Sequence, residues 1–280
     1  MVGQLGKSLF SFDFLEIQNV AGFLLLSWPM GRALRNIRPL DHVHTIFRCI
    51  NRQFLFASQS AHDLWLENLR RSKRRFDLTL YAWCGMTNHH HLLNRAPTTQ
   101  YIETQVDGVV VVREEPASYG RFLCDTFSYF VRRFNRFFDR RSSLIDDRTK
   151  TVRVDDDHHC LNLLIYIFLN PVRAGIVKHP KDYAYSNYNQ YARGDKKAAR
   201  GLFSYHPAFL ALGNTFGARR RRFCRLIEEA LKDWANRRWE GASRGNGPGK
   251  NTRINAQKSF KSYTDAWLTL ALDRLRGPPT

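Results

Sequence analysis

The residues with the clearest chemical potential lie in the run Asn88-His89-His90-His91. An apolar stretch, 78–84, precedes this run across a short turn, and the pattern predicts two buried strands with the histidines on the second. Because strand side chains alternate between faces, His89 and His91 should project to one side and His90 to the other. Two imidazoles about 6–7 Å apart on a rigid strand can share one divalent ion. The run therefore predicts a metal site, the alternative being a chance cluster of surface histidines.

Two other histidine groups compete with this prediction. His42 and His44 share one face of a strand that is predicted within 40–56, so spacing alone would make them a second metal pair. The run 155–159, Asp-Asp-Asp-His-His, follows a strand-like piece at 149–154 and could bind a metal or could cap the start of a helix. The sequence alone leaves both alternatives open.

Two amphipathic helices with basic outer faces are predicted at 61–76 and 119–141. The phenylalanines at helical spacing in the second helix are interpreted as core rather than as a platform for stacking bases. Its arginines are candidates for phosphate contacts, although plain solvation of the surface is the alternative. Between the two helices, the segment 94–115 is predicted to form an irregular loop or a hairpin.

A third helix is predicted at 160–170, and it carries Tyr166 and Asn170. These two side chains are four residues apart and therefore share one face of the helix. Pro171 follows at once and cannot continue the hydrogen bonding of the preceding turn, so the helix should end there. Without further information, the favoured interpretation of Tyr166 is a packed core tyrosine.

Composition narrows the class of protein. The chain has 280 residues, 43% of them hydrophobic, and a net charge of +19, which favours a globular protein that binds a polyanion such as DNA. Its five cysteines are widely spaced and include no Cys-x-x-Cys pair, as expected for reduced thiols in a cytoplasmic protein. The apolar segment 20–28 follows Asp13 and Glu16 and is too short to span a membrane, so neither a signal sequence nor a membrane partner is expected.

Changes in composition divide the chain into four parts. Residues 1–29 are an N-terminal extension outside the fold, and 30–192 form the main domain. Residues 193–240 are predicted to be a basic helical extension with helices near 206–212 and 223–234, separated by the run Arg219-Arg220-Arg221-Arg222. Residues 241–280 contain a glycine-rich linker and a terminal helix.

Two stretches of the sequence carry a resemblance to a known family. The segment 82–93, Ala-Trp-Cys-Gly-Met-Thr-Asn-His-His-His-Leu-Leu, resembles the HUH motif of the REP-associated tyrosine transposases, which belong to the HUH single-tyrosine transposases. The segment 166–177, Tyr-Ile-Phe-Leu-Asn-Pro-Val-Arg-Ala-Gly-Ile-Val, together with Pro180, Asp182-Tyr183 and Ser186, resembles their tyrosine motif. The resemblance runs in order from Gly31 to Ala192.

The resemblance implies an α+β, ferredoxin-like fold in which an antiparallel sheet is backed by helices. It places His89 and His91 on a central strand, with Tyr166 on a helix that faces them. It further implies that His89, His91 and Asn170 hold Mg²⁺ or Mn²⁺ and that Tyr166 is the nucleophile. By the same comparison, His42 and His44 lie on a first strand that supplies no ligands.

The activity that this resemblance implies is metal-dependent cleavage and strand transfer of single-stranded DNA at hairpins, through a 5′-phosphotyrosine. The expected protein is a cytoplasmic, nucleoid-associated monomer or homodimer. The residues expected to contact DNA are Arg48, Arg52, Arg132, Arg133, Arg136, Arg173, Arg219, Arg220, Arg221 and Arg222.

Two departures from the family pattern keep a second class of function open. His90 stands where the family prefers a bulky apolar residue, and burying a histidine there has a cost. The segment 141–150 lacks the usual glycine and aromatic pattern. The alternative is a catalytically inactive DNA-binding protein or regulator that retains the fold.

Overall fold

A four-stranded antiparallel sheet forms the centre of the protein. The computed structural model describes residues 36–146, 149–195, 197 and 201–243, with side chains described up to residue 233. In chain order the elements are β1 (His42–Arg48), α1 (Gln59–Arg75), β2 (Thr79–Gly85), β3 (His89–Arg95), β4 (Thr99–Val106), β5 (Val109–Pro116), α2 (Tyr119–Phe137), β6 (Lys150–Val154), α3 (Asp157–Arg173), α4 (Tyr188–Arg193), α5 (Pro207–Leu210) and α6 (Phe216–Ser243). Short 3-10 helices cover Ile50–Arg52 and Pro180–Asp182.

The strand order in the sheet is β2-β3-β1-β6, and every neighbouring pair is antiparallel. α1 connects β1 to β2 and α2 lies between β3 and β6, which is the ferredoxin-like arrangement with a β4–β5 hairpin inserted before α2. The predicted α+β class is confirmed. The hairpin, which was one of two predictions for 94–115, pairs Thr99 with Pro116 at its base and exposes the valines of β5.

β3 is buried on both faces because helices cover both sides of the sheet. Leu92 belongs to the hydrophobic cluster that α1 and α2 form on one face, and Leu93 belongs to the cluster that α3 forms on the other. The five inner residues of β3 are all buried. Successive side chains of this strand therefore enter two different cores, and the histidines alternate in the same way.

α2 confirms the interpretation of its aromatic stripe as core at Phe122, Phe130 and Phe134, which are buried, but not at Phe137, which is 58% exposed. Ser118 caps the start of the helix by accepting a hydrogen bond from the backbone N–H of Arg121. The helix ends at Phe137 rather than near 141, because Asp139 adopts a left-handed φ of 47° that a helix cannot contain.

α3 extends past the predicted end at Asn170 and runs through Pro171 to Arg173. Pro171 has no N–H to donate to the carbonyl of Ile167 one turn earlier. The Nδ2 amide of Asn170 supplies a substitute, since it donates to the carbonyls of Tyr166 (2.9 Å) and Ile167 (3.4 Å). At the other end, Asp156 accepts from the N–H of His159 at 2.7 Å, which confirms the capping alternative for 155–159.

The C-terminal extension packs on α3 and shares its hydrophobic core. The ring centroids of Phe168 on α3 and Phe223 on α6 are 6.2 Å apart, and those of Tyr191 on α4 and Phe223 are 5.5 Å apart. The prediction that the four arginines of 219–222 separate two helices was wrong, because α6 already begins at Phe216. Thr215 starts the helix there by accepting from the N–H of Ala218 at 3.2 Å.

Within the described residues, no helix combines the length and the apolar character that crossing a membrane would require. The predicted N-terminal extension at 1–29 lies outside the residues that the structure describes, as does all but the start of the segment 241–280.

Candidate active site

The three consecutive histidines of β3 divide between the two faces of the sheet, as predicted. His89 is half-buried and His91 is 3% exposed, and their ring centroids lie 5.0 Å apart on the face that α3 covers. His90 is fully buried in the opposite core, where its ring packs against Phe47 and Phe56 with centroid distances of 4.8 and 4.1 Å.

His90 fits its apolar core as a neutral, hydrogen-bonded ring. The indole Nε1–H of Trp83 donates to its Nδ1 at 3.2 Å. Burial lowers the pKa of His90 well below its ordinary value, and the neighbouring His62 lowers this pKa further. Its Nε2 is buried and has no hydrogen-bond partner among the described residues. Placing a histidine at this position therefore leaves one buried polar atom without a hydrogen bond.

Tyr166 lies against the histidines that share its side of the sheet. α3 crosses that face, and the Tyr166 ring meets the His91 ring edge-on at a centroid distance of 5.6 Å. Asn170, one turn further along the helix, commits its Nδ2 group to backbone carbonyls, so Oδ1 is the atom it can offer to a cation. The structure thus brings together Tyr166 and His91, two residues that are far apart in the sequence.

His44 belongs to the same cluster, on the strand to which the resemblance assigns no ligands. Its Nε2 lies 3.0 Å from Nδ1 of His91, and its ring centroid lies 6.2 Å from that of Tyr166. The cause is the register of β1 against β3, in which Ile46 is directly opposite His91 and His44 is its diagonal neighbour on the same face. The strand alternation within 40–56 already placed His44 on one face; the pairing of the two strands was the missing information.

The Nδ1 atoms of His89 and His91 face neighbouring side chains, which leaves their Nε2 atoms as candidate ligand atoms. Nδ1 of His89 is 2.7 Å from Oδ1 of Asn88, and because an amide oxygen only accepts, that Nδ1 carries the proton. Nδ1 of His91 faces His44, and the Nε2 of His91 is buried without a hydrogen-bond partner in the described part of the chain. Histidines that bind metals typically donate their second ring N–H in this way. The residues present therefore fit a divalent ion held by two Nε2 atoms.

Burial keeps these imidazoles neutral, which is the form that binds a metal ion. It lowers the pKa of His44 to about 3 and the pKa of His89 to about 4, and it holds the pKa of His91 well below its ordinary value. Arg48 contributes to the lowered pKa of both His89 and His91, and Arg173 contributes to that of His91.

These two arginines are the members of the predicted DNA-contacting set that lie nearest the histidines. The guanidinium of Arg173 lies 5.0 Å from the centre of the Tyr166 ring. Arg48 is exposed at the end of β1, directly opposite His89 in the register of β1 and β3. Arg52 is also exposed, and its carbonyl accepts a hydrogen bond from Asn88 at 3.4 Å. Positive charge therefore flanks the tyrosine and the histidine pair.

The remaining predicted DNA contacts form two separate groups. Arg132, Arg133 and Arg136 line a groove of about 400 Å³ on α2 together with Tyr129 and Phe137. On α6, three of the four consecutive arginines donate hydrogen bonds to backbone carbonyls: Arg219 to Gly213, Arg220 to Ala192 and Arg222 to Leu212. Arg221 is exposed. The structure does not bring either group into the cluster around Tyr166.

Comparisons with known proteins give one family match and one structural similarity. Residues 40–110 match the model of the family described as IS200-like transposases. No curated protein is significantly similar to the chain in sequence. A solved structure of a REP-associated tyrosine transposase bound to a REP hairpin is 17% identical, with a TM-score of 0.42 over 62% of this chain and 89% of that chain. The family match confirms the resemblance to transposases over the segment that carries His44, His89 and His91.

Proposed function

We propose that this protein is a metal-dependent endonuclease and strand transferase that cleaves single-stranded DNA at hairpins through a 5′-phosphotyrosine on Tyr166. The observation that carries the proposal is the contact between Tyr166 and His91, whose buried Nε2 has no partner within the described residues. A nucleophile and an uncommitted ligand atom on facing elements are the two parts that such a reaction needs.

The proposed ligands of the ion are Nε2 of His89, Nε2 of His91 and Oδ1 of Asn170. This set of two nitrogens and one oxygen suits Mg²⁺ or Mn²⁺ and leaves positions for the substrate. A bound divalent ion supplies polarisation of the phosphate oxygens. His44 is proposed as a positioning residue, because its Nε2 can accept the Nδ1–H of His91 and so keep Nε2 of His91 deprotonated.

Tyr166 performs the covalent step in this proposal. Its Oη loses a proton and attacks phosphorus, and the new P–Oη bond forms as the bond from phosphorus to the 3′ oxygen breaks. The 3′ oxygen takes the electron pair and a proton, which leaves a free 3′-hydroxyl and a 5′-phosphotyrosine. Because one phosphoester replaces another, a second 3′-hydroxyl can reverse the attack and join strands without an external energy source. Arg48 and Arg173 orient the phosphate in this scheme.

The groove on α2 is the proposed contact with the hairpin. Arg132 and Arg136 are exposed, whereas Arg133 is ion-paired with Glu67 at 2.5 Å. Phe137 is 58% exposed, which is unusual for a large apolar side chain and suits stacking against a base. In this scheme the main domain at 30–192 acts on chromosomal DNA in the cytoplasm, as a monomer or homodimer, and the extension at 193–240 adds the positive charge of Arg221.

The experiment that tests the proposal is incubation of the full chain with an end-labelled single-stranded hairpin and Mn²⁺, followed by denaturing electrophoresis. The wild-type protein should form a metal-dependent covalent adduct. Tyr166→Phe should form none while binding the hairpin normally, and the control Tyr101→Phe, on the β4–β5 hairpin, should behave as wild type. Hairpin binding without an adduct in any metal would instead support the inactive DNA-binding protein.

A further inference from the structure

A second cluster of ligand-type side chains lies on the same face of the sheet, nearer the start of α3. It consists of His42 on β1, Cys160 on α3 and His206 immediately before α5. Nδ1 of His42 is 3.4 Å from Sγ of Cys160 and 3.2 Å from Nε2 of His206, and the three ligand atoms all lie within 4.8 Å of one another. Cys160 and His206 are fully buried, and His42 is half-buried.

Hydrogen bonding alone does not satisfy this cluster. The N–H of Ala208 donates to Nδ1 of His206 at 3.0 Å, so the neutral His206 ring carries its proton on Nε2, which points at His42. The thiol of Cys160 points at the same Nδ1 of His42. That nitrogen has one lone pair in the plane of its ring, so two buried donors share a single acceptor.

The donor set and its spacing suit a particular kind of ion. One thiolate and two imidazoles are ligands that Zn²⁺ prefers, and ligand atoms around a tetrahedral zinc lie about 3.3–3.8 Å apart. The two separations from His42 are close to this range. Asp157 lies one helical turn before Cys160 and acts electrostatically on both His42 and Cys160, so it adds negative charge beside the cluster.

We propose that His42, Cys160 and His206 bind a Zn²⁺ ion that fastens α3 and the C-terminal extension to β1. Binding removes the thiol proton from Cys160 and moves the proton of His206 from Nε2 to Nδ1. The N–H of Ala208 then loses its acceptor, so the first turn of α5 has to adjust. The ring of Tyr81 closes one side of the cluster, with centroids 4.6 Å from His206 and 5.4 Å from His42. This site does not depend on the proposed cleavage reaction.

The test uses metal-free full-length protein titrated with Co²⁺, which replaces zinc and reports thiolate ligation through a sulfur-to-cobalt charge-transfer band in the near ultraviolet. Wild type should develop this band up to one equivalent of cobalt, and added Zn²⁺ should remove it. Cys160→Ser should lose the band. Cys124→Ser, which changes an exposed cysteine on α2, should keep it.

His91→Ala separates this proposal from the proposed function, because it removes a candidate ligand of the other cluster and should leave the sulfur band unchanged. If Cys160→Ser fails to fold by circular dichroism, Cys160→Ala suits the buried position and should lose the band in the same way. Absence of the band in wild type would overturn the zinc proposal, as would its persistence in a folded Cys160 variant. In that case the cluster is an aromatic and hydrogen-bonded contact only.

Discussion

Two histidine clusters lie between β1 and α3, and they differ in how their ligand atoms are arranged. In the cluster of His44, His89 and His91, the Nδ1 atoms of His89 and His91 face Asn88 and His44, and the buried Nε2 of His91 has no partner among the described residues. In the cluster of His42, Cys160 and His206, the ligand atoms already face one another within 4.8 Å. β1 contributes a histidine to each cluster, and α3 contributes Cys160 to the second and packs Tyr166 against the first.

The comparison teaches that residue type alone does not define a site. Structural zinc sites are closed by protein ligands, whereas catalytic metal sites keep a position open for substrate. The first cluster has a half-buried tyrosine and two flanking arginines, as an open site for a phosphate requires. The second contains a buried thiol and no arginine or lysine among its members, as expected for a closed site. The two clusters should therefore respond differently to metals and to substitution.

The largest expected effect is on DNA cleavage by His91→Ala. Loss of this ligand should remove several kcal/mol of transition-state stabilisation and lower the cleavage rate by at least about 1000-fold. Single-turnover cleavage of the labelled hairpin in Mn²⁺ measures the rate, and the sulfur-to-cobalt band measures the second cluster in the same variant. Loss of both signals together would mean that the two clusters are one interdependent site.

A smaller effect is expected for His44→Ala. Because His44 acts through His91, its loss should weaken Mn²⁺ affinity about 10–100-fold. His44→Gln retains an oxygen that can accept the Nδ1–H of His91 and should recover much of that affinity. Mn²⁺ affinity, obtained from the metal dependence of cleavage and from the paramagnetic signal of free Mn²⁺, distinguishes this role from a purely structural one. Equal affinities for wild type and His44→Ala would contradict it.

The smallest effect concerns a buried histidine that belongs to neither cluster. His62 is fully buried and stacks on Tyr185 at 3.8 Å, and burial lowers the pKa of His62 to about 4. As the pH falls below about 6.5, the unfolded chain binds a proton that the folded protein does not bind, so stability falls with falling pH. Between pH 7 and pH 5 this histidine should lower the free energy of unfolding by about 2 kcal/mol.

His62→Leu should therefore reduce the difference in unfolding free energy between pH 7 and pH 5 by about the same 2 kcal/mol. Urea unfolding at the two pH values measures this difference. Because His62 lies in neither cluster, the result gives the pH dependence of the unfolding free energy that comes from burying a histidine alone. An identical pH dependence in wild type and variant would show that His62 does not remain neutral in the fold.

Much of the fold follows from local patterns. The period of the phenylalanines in 119–141 identifies α2 and its buried face, and the alternation around His89 identifies β3 and the two faces of its histidines. The end of α3 could not be predicted from Pro171 alone, because the Asn170 side chain supplies a donor where the proline lacks one. The start of α6 likewise depends on a cap at Thr215 that precedes a run of arginines.

The sites are less predictable because they depend on contacts between distant segments. Tyr166 and Asn170 were identified as candidate site residues through the family resemblance, because nothing in the neighbouring sequence marks a tyrosine on an apolar helix as reactive. The place of His44 beside His91 could not be predicted, because it depends on the register of two strands. His206 meets His42 across 164 residues of sequence, and only the packing of the extension on α3 brings them together.

The most direct test of the central claim is to identify the residue that becomes linked to DNA. After reaction with the hairpin and Mn²⁺, the protein is digested with trypsin and nuclease, and mass spectrometry locates the peptide that carries nucleotide mass. We expect the nucleotide on Tyr166, attached through its 5′ phosphate. Attachment to a different residue, or cleavage that leaves no protein-linked product, would contradict the account.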